Sequence, residues 1–166
     1  VTLVLGVDPG FSGAFAWLDY RAAGDYEITR IEDMPVVSKT VGRGQRARLD
    51  IEGVHSLLSQ ATVKGCALVV IEDPGARPAQ AGAMAFGFGL GILHDAIWVQ
   101  KLRLETIVPT KWKRELRVPK DKTEAVQRAD ELFPAHRALF RGPRGGLLDG
   151  RAEAAIIALY GAKFLL

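Results

Sequence analysis

The chain is short of the residues that mark several common protein chemistries. Of its 166 residues one is a cysteine, Cys66, which excludes an intrachain disulfide and a cysteine-ligated zinc site. Cys66 lies in the apolar run CALVVI and reads as a buried structural thiol. The three histidines, His55, His94 and His136, show no paired metal spacing, so a histidine–zinc enzyme finds no support. His94 is assigned to a helix surface, and His136 stands close enough to Arg137 and Arg141 to touch a phosphate. Asparagine is absent and arginine outnumbers lysine 14 to 8, a bias in the direction of thermophilic or GC-rich sources. No apolar run approaches the roughly eighteen residues of a membrane span. The N-terminal VTLVLG has neither a basic region nor a small-residue cleavage site, and reads as a core strand. The expected compartment is therefore the cytoplasm. No internal repeat or second boundary is visible, and the length suits one domain over 1–166 with a real core.

What is present is an uneven distribution of charge. The net charge is +3, but Lys101 to Lys122 holds eight basic residues (Lys101, Arg103, Lys111, Lys113, Arg114, Arg117, Lys120, Lys122) against three acids. Ser38 to Arg48 holds Lys39, Arg43, Arg46 and Arg48 against none. Two basic stretches on one small domain imply a polyanion partner, with nucleic acid the leading candidate.

Thr2 to Asp8 is a nearly continuous apolar run, Ser12 to Asp19 another, and Tyr26 to Met34 alternates; with the Pro9-Gly10 turn these predict an antiparallel three-stranded meander. Pro35 to Arg48 has no periodicity and predicts a mobile, solvated loop. Asp50 can cap a helix whose apolar positions Ile51, Val54, Leu57, Leu58 and Ala61 follow a 3.6-residue period. Ala67 to Ile71 then reads as a buried strand, Ala79 to Val99 as a long helix and Leu102 to Val108 as a strand. Short helices follow from Pro109 to Leu116 and Asp121 to Phe133, and a final one spans Asp149 to Leu166. The expected architecture is α/β: a mixed five-stranded sheet with three antiparallel strands first, flanked by helices, in the element order of the ribonuclease H-like fold.

Two of these strands end in acids, Asp8 after VTLVLGV and Glu72 after CALVVI. An unpaired carboxylate at the end of a buried strand is costly and seeks a proton or a cation. Asp149 and Glu153, four residues apart, fall on one face at the start of the last helix. Taken singly, each acid reads as a turn cap or a first-turn residue opposite the helix dipole. Together, two strand ends and one helix start offer an all-oxygen ligand set suited to hard divalent cations, Mg²⁺ above all, with Mn²⁺ as a substitute. A metal pair activates water and stabilises the leaving oxygen of a phosphodiester.

The stretches LGVDPGFSGAFA, VVIEDP, PTKWKRELRVPKDKTEA and LDGRAEAAIIALYG, in that order, resemble the RuvC-like Holliday-junction resolvases, especially their phage and chloroplast branch. The resemblance covers nearly the whole chain. It implies a homodimeric endonuclease that makes paired symmetric incisions in four-way DNA junctions, leaving 5′-phosphate and 3′-hydroxyl ends, in a bacterial or phage-infected cell. It implies that Asp8 bridges two metals, that Glu72 holds one of them, and that Asp149 and Glu153 complete the shell. The final acid is Glu153, and its partner precedes it by four residues where the bacterial enzymes have three. By the same resemblance Lys113 and Lys122 approach the scissile phosphate, with Lys111 a rival for the first. Arg43, Arg46, Arg48, Arg114 and Lys120 join them as DNA contacts. The helix with Gly82, Gly87, Gly89 and Gly91 builds the dimer interface. Its leading end, with Arg77, Gln80, Met84 and Phe86, faces the junction centre.

Four glycines in one helix imply that something approaches its backbone closely. Phe88 is assigned to core packing, and Trp112 to anchoring its short helix. QAGAMAFGFGLGIL is not a phosphate loop, because its glycines run into an apolar helical pattern without the following lysine or acid; no nucleotide cofactor is expected. GVDPGFSG also resembles the first phosphate loop of actin-like kinases, but those need two such domains and this chain is too short. Two other readings stay open at this point: a relative that holds branched nucleic acid without cutting it, and a nuclease acting on RNA or an RNA–DNA hybrid.

Overall fold

The computed structural model describes residues 1–42, 44–75 and 82–166. Arg43, Arg77 and Gln80 lie outside the described residues. Strands β1 (Thr2–Asp8), β2 (Ala14–Ala22) and β3 (Asp25–Asp33) form the expected meander. β6 (Leu68–Glu72) and β7 (Leu104–Ile107) add in parallel on the other side of β1, giving the order β3-β2-β1-β6-β7. This mixed sheet flanked by helices is the ribonuclease H-like architecture. β2, β1 and β6 are the inner strands, and β1 and β6 are buried on both faces along nearly their whole length, so they read as unbroken apolar runs.

Each face of the sheet carries its own core. Helices α1 (Ile51–Val63) and α2 (Ala83–Val99) cover one side, packing Val54, Leu58, Leu93 and Ile97 on Leu5, Phe15, Trp17 and Val69. Helix α5 (Asp149–Phe164) lies on the opposite face, and α3 (Pro109–Glu115), α4 (Lys122–Leu132) and a 3₁₀ helix (Pro134–Phe140) lie on that side with it. α5 is buried along almost its whole circumference, which explains why its polar stripe is confined to its two ends.

Close contact of α5 with β1 depends on small residues. A Cβ on Gly6 would run into the Ala154 carbonyl oxygen and the Ala158 amide, and one on Gly150 into the Ser12 carbonyl. The helix and strand backbones therefore meet with no side chain between them. Arg151 then ties the helix start to the end of β3 through two hydrogen bonds to Asp33, at 2.6 and 2.8 Å. That pairing holds the Asp33 carboxyl below the usual carboxylate range.

Several expectations are corrected. Pro35–Arg48 is not a loop: Val36–Val41 (β4) and Gly44–Leu49 (β5) form an antiparallel hairpin outside the main sheet. Its residues are mostly exposed, so no buried side left an apolar alternation to read. α2 begins at Ala83, preceded by Gly82 at φ +85°, a left-handed conformation that suits glycine; positions 79–81 lie outside the described residues. Phe88 is 64% exposed and belongs to no core. His94 is half-buried, its Nε2 enclosed without a hydrogen-bond partner among the described residues. Cys66 is half-buried, with its thiol donating to the Leu68 carbonyl and pushed up by burial. Of the four glycines in and before α2, a Cβ on Gly87 or Gly91 would meet nothing within 4 Å, whereas one on Gly89 would touch Leu49. Asp50 stands at the start of α1 in extended backbone but makes no side-chain cap, while Asp121 caps α4 through the Glu124 amide.

The contrast between glycines is testable by thermal denaturation. Gly6→Ala is expected to cost about 2 kcal/mol or more, because rigid backbone cannot yield to the added methyl. Gly146→Ala, where an added Cβ would meet nothing within 4 Å, is expected to leave stability unchanged or raise it by up to about 1 kcal/mol.

Candidate metal and nucleic-acid site

β1 and β6 pair in parallel with Val7 opposite Ile71, so Asp8 and Glu72 finish neighbouring strands at the same edge. The Pro9-Gly10 turn reverses the chain, and the Gly10 amide donates to the Asp8 carboxylate at 3.3 Å. A Cβ on Gly13 would strike the Asp8 carbonyl, so this turn is as compact as the α5 contact beside it. α5 starts where the Ser12 and Gly13 backbone allows Gly150 to lie against it, and Asp149 and Glu153 therefore arrive next to Asp8.

The four acids form one electrostatic unit. Asp8 keeps a window to solvent, yet burial is the largest influence on its carboxyl, followed by the charge of Glu153, with smaller contributions from Glu72 and Asp149. Together they push it up to about 7, against the opposing pull of the Gly10 amide. The other three acids each have a donor. Lys113 Nζ donates to Glu153 at 2.7 Å, with both side chains largely covered. Lys122 Nζ donates to Asp149 at 2.5 Å, and the bond to Asp149 raises its own pKa above the usual lysine value. Trp112 Nε1 donates to Glu72 at 2.7 Å from a fully buried ring.

Trp112 is thus more than an anchor for α3. Its indole spans from the core to a strand-end acid forty residues away and fixes that carboxylate's direction. Neither it nor Arg151, which braces the start of α5, is marked by the sequence as a site residue. The signals available were the position of Arg151 between Asp149 and Glu153, and of Trp112 between two basic residues.

The basic residues fall into separate groups. Lys113 and Lys122 stand on the acids, Lys111 and Lys120 are exposed, and Arg114 is exposed and paired with Glu115 at 2.9 Å. Lys39, Arg46 and Arg48 lie on the β4–β5 hairpin. Met84 is exposed and Phe86 half-buried at the start of α2, and His136 is half-buried after α4. No helix is long and apolar enough to cross a membrane among the described residues.

Among solved structures, Thermus thermophilus RuvC in complex with Holliday junction substrate matches with a TM-score of 0.71 at 16% identity, covering 99% of this chain and 95% of that one. A second Thermus thermophilus RuvC structure gives 0.54 at 16% identity, covering 98% and 96% of the two chains. The chain has the fold of RuvC and related Holliday-junction resolvases. The fowlpox virus Holliday junction resolvase matches over 99% of this chain and 100% of its own, with a TM-score of 0.56 and 15% identity. No family model matches the sequence, and no curated protein does.

In this RuvC-type fold the chemistry of the acidic donor set fits a hard divalent cation: four carboxylates, no nitrogen or sulfur, and one acid whose ionisation is opposed by the other three. As the side chains lie, turned to lysines and an indole, no group of three His, Cys, Asp or Glu stands in metal-binding geometry among the described residues.

The raised pKa of Asp8 has a stability consequence in metal-free buffer. Unfolded, the carboxyl loses its proton near pH 4; folded, it keeps it to about 7. Stability therefore falls as pH rises through that window and stays low above it. Asp8→Asn removes the effect. With EDTA present, the variant is expected to melt above the wild type at pH 8, by on the order of 2–4 kcal/mol, and to match it near pH 3.

Proposed function

We propose that the chain is a divalent-metal-dependent endonuclease that resolves four-way DNA junctions as a homodimer. The observation that carries this reading is the gathering of four acids at one edge of the sheet: Asp8 ends β1 beside Glu72 of β6, and Asp149 and Glu153 of α5 lie close enough to oppose its ionisation, an arrangement that costs stability unless a cation joins it. Asp8, Glu72, Asp149 and Glu153 would hold two Mg²⁺ ions, or Mn²⁺ in their place. Such ions supply Lewis acidity at a scissile phosphate and a water acidic enough to act as nucleophile near neutral pH.

The chain's own residues do the rest. Asp8 would have to give its proton to solvent in order to serve as a ligand near neutral pH. Trp112 holds one carboxylate oxygen of Glu72 through its indole N–H and so limits how that side chain turns. Lys113 and Lys122, which pair with Glu153 and Asp149, would offset charge on a phosphate bound beside those acids. The surrounding basic residues Lys111, Arg114 and Lys120 position the backbone without reading sequence. Incision leaves a 5′-phosphate and a 3′-hydroxyl.

Two-fold pairing would place one site on each of two opposed strands. The face that suits it is the stripe of α2 carrying Gly87, Gly91 and Trp98, which is exposed and leaves the helix backbone open to a second helix.

A fixed-arm four-way junction with end-labelled strands tests the reading, beside an RNA–DNA hybrid and a linear duplex at the same salt concentration. Wild-type protein with Mg²⁺ is expected to nick the junction symmetrically and to leave the other two largely intact. Asp8→Asn is expected to bind the junction within a few-fold of wild type and not to cut it. Undiminished cutting by that variant, or preferential cutting of the hybrid, would overturn the assignment.

A further inference from the structure

The β4–β5 hairpin and the start of α2 enclose a groove of ≈ 870 Å³ that is separate from the carboxylate centre. Its two walls differ in chemistry. The hairpin wall presents Lys39, Arg46 and Arg48, and among the described residues these are the only charged side chains that line the groove. The opposite wall is apolar and formed by Met84, Phe88 and Ile92. Met84 is 89% exposed and Phe88 64% exposed, so neither contributes to the core.

The hairpin's register makes the charge costly. Lys39 is the direct cross-strand partner of Arg46, and Arg48 lies opposite Val37. Like charges in directly opposed positions destabilise a strand pair. The segment from Pro35 to Leu49 contains no acid, and none of the three cations has a salt bridge or side-chain hydrogen bond among the described residues. A two-stranded hairpin outside a larger sheet is marginal by itself. One that concentrates repelling cations against an apolar wall is suited to an anion that also carries an apolar face.

We infer that this groove binds a stretch of unpaired nucleotides, with phosphates on Lys39, Arg46 and Arg48 and bases against Met84 and Phe88. A duplex matches only half of it, because its base faces are stacked inside and it offers the apolar wall nothing to cover. An unpaired strand supplies charge at one side and a stacking face at the other. The groove thus adds a single-strand grip to the nucleic-acid surface. It rests on the nucleic-acid partner of the proposed function and not on the metal chemistry.

Fluorescence anisotropy in EDTA tests the groove without cutting, using labelled oligothymidylate of about a dozen nucleotides and a duplex of equal length. Arg46→Gln with Arg48→Gln is expected to weaken single-strand binding and to reduce the slope of log affinity against log salt by about 1.4. The double lysine variant should keep the wild-type slope. Phe88→Ala is expected to weaken single-strand binding about tenfold at every salt concentration and to change duplex binding little. A 2-aminopurine in the single strand should be quenched by wild type and less so by Phe88→Ala. Single-strand binding that survives both variants overturns the groove while leaving the nuclease reading intact. A Phe88→Ala protein that loses self-association in sedimentation but keeps its single-strand affinity also overturns it, assigning the face to a second copy of the chain. Wild-type protein that binds neither probe nor a four-way junction overturns both.

Discussion

The contact on which the site depends is one between backbones. α5 meets β1 where Gly6 has no side chain, and it meets the β1–β2 turn where Gly150 has none. Any Cβ at these points would hold the helix off the sheet, and with it Asp149 and Glu153. The acidic centre is therefore a product of close packing before it is a product of charge. The alanines along α5 serve the same geometry, because a helix buried on almost every side has room only for small residues where it is pressed hardest.

Packing then creates an electrostatic conflict that the rest of the site contains. Asp8 is placed among three acids in a covered position, and its carboxyl holds a proton to about 7 in consequence. The other three acids are each met by a donor from a single stretch of chain. Trp112 and Lys113 come from α3, and Lys122 from the first turn of α4. The basic segment Lys101 to Lys122 thus has two tasks. Part of it neutralises the acids, and the remainder stays on the surface.

The sequence made the main sheet and the four acids legible because each follows a short-range rule. Inner strands buried on both faces read as apolar runs, and an acid that ends such a run stands out against it. Long-range partners left weaker marks. Nothing near Trp112 in the chain states that its indole reaches Glu72, and nothing near Arg151 names Asp33. The hairpin was missed for a different reason: with most of its residues solvated, its strands carry no alternation of apolar and polar residues, and pairing alone defines them. Phe88 misled in the opposite direction, since an apolar residue in an apolar helix reads as core until the groove beside it is seen. Glycine was informative at Gly6 and Gly150 only after the packing was known, whereas the glycines singled out in α2 leave two open positions on its surface.

The central claim is that Asp8 is the focus of a four-acid centre built to receive a divalent cation. A side-chain ¹³C NMR titration of Asp8 tests it directly, with and without saturating Mg²⁺. Without the ion the carboxyl is expected to titrate at about 7, and with it the midpoint should fall to or below the ordinary aspartate value of about 3.9. An ordinary midpoint in the metal-free protein, or a midpoint that Mg²⁺ leaves unmoved, would contradict the account.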